Sequence, residues 1–187
     1  MVDYSSGIGE VLWAAHAERY SKVKNDHYLN WKIVNEAMTY GPFDKVVYYE
    51  KPWLKKTRQL YAGQWSDALS HTELPQWHLD NFNIKIDEYV KHHDSHAAAG
   101  YFTSPFREAT ILTVDAIGEW DTVSISTAEK IWIERKETIK YPHSIGILYS
   151  AFTHRCGLKP AEEEYILMGM AAYLSLIHIS EPTRRSY

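Results

Sequence analysis

An α/β fold is predicted by two features of the sequence: apolar and β-branched runs that read as strands, and helical stretches that alternate with them. WKIVNEAM at 31–38 has a helical apolar period and meets the Gly41-Pro42 punctuation, after which DKVVYYE at 44–50 reads as a short buried strand. IDEYVKH at 86–92 reads as another strand, leading into HHDSHAAAGYFTS, whose alanines favour a helix that Pro105 stops.

The remaining elements follow from the same signals. EVLWAAHAERY at 10–20 carries an uninterrupted apolar block before its charges, the pattern of a buried strand running into Glu18 and Arg19. The first nine residues are short, polar and glycine-bearing, so a pairing neighbour for that strand is expected to be missing. Between 52 and 69, Leu54, Tyr61, Trp65 and Leu69 recur at helical spacing and predict one amphipathic helix. Its Lys, Arg, Tyr and Trp side chains also suit a surface for nucleic acid, a reading that the acidic total disfavours. Residues 70–85 read as loop. ATILTVDAI at 109–117 is a β-branched strand, followed by a turn at Gly118 and two further strand runs, WDTVSIST and KIWIERKETI. SIGILYSAFTHRCG at 144–157 has the period of a helix closed by Gly157, and EEEYILMGMAAY at 162–173 reads as one more.

Composition narrows the function. The 187 residues suffice for one domain with a core, and 45% apolar against 24% charged content is that of a folded globular chain. A net charge of -4 gives no electrostatic footprint for nucleic acid or membrane binding, and small or polar partners are expected. No apolar run reaches the roughly eighteen residues a spanning helix requires, and the N-terminus lacks a signal peptide's basic and apolar regions. The single cysteine, Cys156, fits a reducing compartment, so the cytoplasm is expected.

Ten histidines are many for this length, and imidazole is the commonest protein ligand for transition metals. His92 and His96 are four residues apart, so on a helix they share a face and can share an ion, with His93 pointing away. Asp115 ends the next predicted strand, where the strand ends of α/β sheets meet a ligand crevice. Two imidazoles and a carboxylate on a divalent ion leave positions open, as catalysis requires. Spacing alone equally fits a pair of helix histidines without metal, and Asp115 equally fits a turn carboxylate. His16, His27, His71, His78, His143 and His154 show no ligand spacing. In the loop Asp115–Thr122, Gly118 suits either a hairpin turn or a close approach of backbone N–H groups to phosphate.

HHDSHAAAGYFTSPF, ATILTVDAIGEWDT, SIGILYSAFT and EEEYILMGMAAY, in this order and preceded by EVLWAAHAERYSKVKND, resemble the O-carbamoyltransferases of nodulation and antibiotic tailoring. The likeness runs from about Gly9 to Tyr173, with two departures: Ile166 stands where many relatives have lysine, and Leu174 where glycine is expected. The resemblance implies a partial N-terminal domain of the acetate and sugar kinase/Hsp70/actin type, built on ribonuclease H-like units, over residues 1–173 and truncated at both ends. It implies Fe²⁺ or a similar divalent ion held by His92, His96 and Asp115, with a fourth ligand beyond the chain, and Gly118 and Thr122 toward the nucleotide phosphate. The implied reaction moves a carbamoyl group from carbamoyl-adenylate, made from carbamoyl phosphate and ATP, to a small-molecule hydroxyl acceptor. Alternatives are a tRNA threonylcarbamoyl transferase-like domain and a non-catalytic metal-binding fragment. Residues 174–187, LSLIHISEPTRRSY, change character abruptly and resemble the translation of a sequencing adapter, so a non-native tail is expected there.

Overall fold

A computed structural model of the chain describes residues 1–3, 5, 10–23, 26, 29–72 and 74–173; the expected tail and His27 lie outside the described residues. The chain divides into two compact units, with the boundary between Ser95 and His96. Helices and small sheets are mixed throughout, as expected for an α/β chain.

The first unit is made of short elements. Strand β1 (Val2–Asp3) pairs antiparallel with β2 (Glu10–Val11), Val2 opposite Val11. The strand expected over residues 10–20 is therefore only two residues long, and it does have a neighbour. Its second half forms helix α1 (Ala17–Ser21) instead, where Ala, Glu and Arg are better helix than strand formers. Helix α2 (Trp31–Met38) starts where Asn30 accepts a hydrogen bond from the Lys32 N–H, and buries Ile33 and Val34. Strand β3 (Val47–Tyr48) pairs in parallel with β4 (Glu88–Tyr89), Tyr48 opposite Tyr89.

Between those two strands the chain forms α3 (Pro52–Tyr61), α4 (Trp65–Leu69) and α5 (Pro75–Asp80). The single helix expected over 52–69 is broken at Gly63, whose φ of +76° is a left-handed conformation that suits glycine. Its expected buried face is not the observed one: Pro52, Gln59 and Ala68 are buried while Tyr61, Trp65 and Leu69 are exposed. Helix α5 falls in the stretch expected to be loop, and Pro75 at its start is the signal for it. Parallel neighbours need a crossover, and these three helices supply it. Helix α6 (His92–Phe102) follows β4 directly, and the boundary between the units falls inside this one continuous helix.

The second unit is a meander of long strands. β5 (Glu108–Gly118), β6 (Asp121–Glu129) and β7 (Trp132–Lys140) form an antiparallel sheet with β6 in the centre. Their β-branched residues produce it, and the central strand buries small side chains, Thr122, Val123, Ser124, Ser126 and Ala128. Both connections are two-residue turns with positive φ at the first position, Glu119 at 61° and Lys130 at 56°. The turn expected at Gly118 is thus displaced by one residue: Gly118 sits in the ladder opposite Asp121. Helix α7 (Ile145–Arg155) packs on β5, and α8 (Glu164–Ala171) packs on α7. Ser144 caps α7 by accepting the Ile147 N–H, and Gly157, φ +78°, follows its end.

Candidate metal centre

Helix α6 begins at His92, so the four-residue spacing becomes one helical turn and the imidazoles of His92 and His96 fall on one face. Three alanines after them favour the helix, and the Ser95 N–H bonds back to the Lys91 carbonyl.

The opening turn of α6 is fastened to the β3–α3 connection within the first unit. Ser95 Oγ donates to the Tyr49 carbonyl at 3.0 Å, and the Tyr49 ring meets the His92 ring edge-on at 5.5 Å between centroids. Beside them Glu50 is buried, 7% exposed. Its Oε1 lies 3.4 Å from Lys55 Nζ and its Oε2 lies 3.4 Å from His92 Nδ1. Burial pushes the Glu50 carboxyl upward, but the facing His92 imidazole and the Lys55 ammonium outweigh it and hold the group below the ordinary carboxylate range.

Asp115 is placed by an irregularity of β5 in the second unit. The β5–β6 register shifts between Val114 and Gly118, so residues 115–117 bulge out of the ladder, and a bulge re-aims a side chain. The Ala116 N–H donates to Asp115 Oδ1 at 2.7 Å, which fixes the carboxylate, and Oδ2 then lies 3.9 Å from His96 Nε2. The bulge is held from behind by α7. Ser144 Oγ donates to the Ala116 carbonyl at 2.6 Å while accepting from Ile147. Gly146 runs so close that a Cβ there would lie 2.5 Å from Ala116 Cα.

His92, His96 and Asp115 are thereby brought together: one ligating atom from each lies within 4.8 Å of the others. Atoms sharing a divalent ion at about 2.1 Å stand roughly 3 to 3.5 Å apart, so the 3.9 Å between His96 and Asp115 is long for a hydrogen bond and close to an ion-sharing separation. The donor set, two imidazoles and a carboxylate, suits Fe²⁺, Zn²⁺ and similar ions. The residues present therefore fit such an ion. Among the described residues no other group of His, Cys, Asp and Glu does so, and His93, buried at 1% exposure, stands outside this one.

Gly118 and Thr122 belong to the sheet of the second unit. Both are buried, Gly118 within the sheet ladder; the Thr122 hydroxyl is engaged by the carbonyls of Ile139, at 3.1 Å, and His143. Glu50, Ser144 and Gly146 were not singled out by sequence reasoning. Glu50 had a signal, a carboxylate at the end of an apolar run, whereas nothing in the residues around Gly146 announces its close approach to β5.

A family profile described as Carbamoyltransferase N-terminus matches residues 20–178. An uncharacterised protein of Synechocystis sp. is 31% identical over 193 residues, covering 88% of this chain and 31% of its own length. Nodulation protein NolNO of Sinorhizobium fredii is 25% identical over 187 residues, covering 88% of this chain and 26% of its own. An uncharacterised protein of Methanocaldococcus jannaschii is 35% identical over 98 residues, 44% of this chain and 16% of its own. The chain spans about a third or less of the length of these relatives. Among the described residues no helix is long and apolar enough to cross a membrane.

Proposed function

Because this chain belongs to the carbamoyltransferase N-terminus family, we propose that its α6–β5 cluster is the metal-holding part of an enzyme that transfers a carbamoyl group to a hydroxyl acceptor. The observation that carries this reading is the meeting of His92, His96 and Asp115 at the start of one helix and the bulge of one strand. Fe²⁺ or a similar ion, when bound, would supply Lewis-acid polarisation of the carbamoyl carbonyl.

The chain's own residues would hold and orient. His92 and His96 present their imidazoles from one helix face, and Asp115 offers Oδ2 because the Ala116 N–H keeps Oδ1. His96, with more than half of its side chain exposed, leaves the cluster open on one side for a substrate oxygen. In the reaction, the acceptor oxygen forms a bond to the carbamoyl carbon of carbamoyl-adenylate, the bond from that carbon to the phosphate oxygen breaks, AMP leaves, and the acceptor proton passes to a base. ATP and carbamoyl phosphate are the source of that donor. The fold reading that goes with this function is a partial domain of the acetate and sugar kinase/Hsp70/actin type over residues 1–173; the three-stranded meander with α7 against its first strand supports it.

Anaerobic calorimetric titration with Fe²⁺ tests the cluster. Binding to this chain that disappears in His92→Ala, His96→Ala and Asp115→Asn is expected, and equal affinity in all four proteins would overturn the assignment. The intact protein that carries this domain, given labelled carbamoyl phosphate, ATP and a panel of hydroxyl compounds, should yield a carbamate ester. Label appearing on tRNA instead would give the threonylcarbamoyl-type alternative.

A further inference from the structure

Glu50 lies outside the three candidate ligands and forty-two residues before the first of them, yet it is among the most buried charged side chains of its unit. A buried carboxylate is costly to keep unless something opposite holds it, and here two groups do, one on each oxygen: Lys55 Nζ and His92 Nδ1, both at 3.4 Å. The His92 side chain is itself only 16% exposed. Its ring is confined by Tyr49 on one edge, and Ser95, one turn of helix along, ties the same backbone segment down through the Tyr49 carbonyl.

An imidazole that faces a carboxylate through Nδ1 keeps its proton on Nδ1, and the lone pair then belongs to Nε2. Ligating histidines commonly have such an outer partner, which fixes the tautomer and makes the ring a better donor. We infer that Glu50 is a positioning residue of the metal centre: it holds His92 as the Nδ1–H tautomer and so presents Nε2 as the ligating atom. Lys55 has the complementary part. By neutralising Glu50 on its other oxygen it lets the carboxylate stay buried beside an uncharged imidazole. His96 has a different arrangement, since the carboxylate nearest its Nε2 is Asp115, itself a candidate ligand.

This inference rests on the metal reading, and its test separates the two. Nitrogen-15 spectra of the imidazoles, recorded without metal above the imidazole pKa, report the His92 tautomer directly. The Nδ1–H form is expected in this chain, with a shift toward Nε2–H in Glu50→Ala; an unchanged His92 signal in a folded Glu50→Ala chain overturns the proposal whatever the metal does. Co²⁺ titration followed by its visible absorption should show affinity lower by about 10- to 100-fold in Glu50→Ala. Glu50→Asp, which keeps the charge, should recover part of it. Should Glu50→Ala not fold, Glu50→Gln, of the same shape, decides: Co²⁺ affinity equal to that of the parent chain overturns the proposal, and a loss of several-fold upholds it. Absence of Co²⁺ binding by the parent chain would defeat the metal reading, while the metal-free tautomer would still decide what Glu50 does.

Discussion

His92 and His96 are the same side chain one turn apart on one helix, each with a carboxylate oxygen nearby, and they are held in opposite ways. His92 faces Glu50 at 3.4 Å from a largely buried position, beside the ring of Tyr49. His96 is 54% exposed and faces Asp115 at 3.9 Å. The first has its Nδ1 turned to a buried carboxylate. The second is the more exposed, and the carboxylate opposite it is fixed through the bulge, the Ala116 N–H and the start of α7. In the proposed centre, preorganisation would thus be divided: on the α6 side in the imidazole of His92, and on the β5 side in the backbone that carries Asp115.

The largest break in this comparison should come from the β5 side, at Gly146. Replacing glycine by alanine near a helix start would by propensity gain up to about 1 kcal/mol. Against that, the new Cβ would lie 2.5 Å from Ala116 Cα and 2.6 Å from its nitrogen, both backbone atoms that cannot rotate away. Overpacking of this kind costs about 1–3 kcal/mol and moves the backbone, so the clash wins. Gly146→Ala should lower the urea midpoint and abolish divalent-ion binding together; unimpaired binding would show that α7 does not support Asp115. Ser144→Ala removes the hydroxyl that caps α7 and ties Ala116 at 2.6 Å, and should cost about 1 kcal/mol with weaker ion binding.

Next in size, and aimed at the two histidines themselves, are the alanine replacements measured for stability without metal. His92→Ala leaves the buried Glu50 facing one partner fewer and should cost about 1–2 kcal/mol. His96→Ala, at an exposed position, should stay within about 0.5 kcal/mol of the parent. Both should lose the ion. Equal stability effects in urea unfolding would mean that the burial difference has no energetic consequence.

The same division explains what could be read from the sequence. The β5–β7 meander was legible because its strands are nine to eleven residues long and rich in Thr, Val and Ile, so pattern and structure agree over many positions. His92 and His96 share a helix face as their spacing predicts, whereas Asp115, expected at a strand end, stands in a bulge inside β5. In the first unit, strands of two residues carry no period, and Gly63 divides what spacing alone read as one helix. Glu50 and Gly146 stayed hidden for another reason: each acts through a neighbour distant in the chain, His92 in one case and Ala116 in the other, and a single sequence does not record such pairs.

The smallest effect concerns Glu164, a carboxylate fixed by hydrogen bonds to a backbone N–H and a hydroxyl. It sits at the start of α8, where its Oε1 accepts the Ala161 N–H at 2.6 Å and the Ser150 hydroxyl at 2.9 Å. The Ala161 N–H is the main cause that holds its carboxyl below the ordinary range; partial desolvation opposes this and the Ser150 hydroxyl adds to it. A carboxylate whose pKa is lower folded than unfolded contributes stability that is fully present above the unfolded value, because the unfolded chain binds the proton more readily. That contribution is lost as pH falls through the folded pKa. Urea midpoints of the metal-free chain should therefore decline less steeply on acidification in Glu164→Gln than in the parent, with a small difference because the group is exposed to solvent. Ion binding at neutral pH should be unchanged, since α8 packs on α7 and it is α7 that packs on β5. If Glu164→Gln weakened the ion as Ser144→Ala does, the support of Asp115 would extend through α7 to α8, and the division between a held imidazole and a held strand would have to be redrawn to include the whole α7–α8 pair.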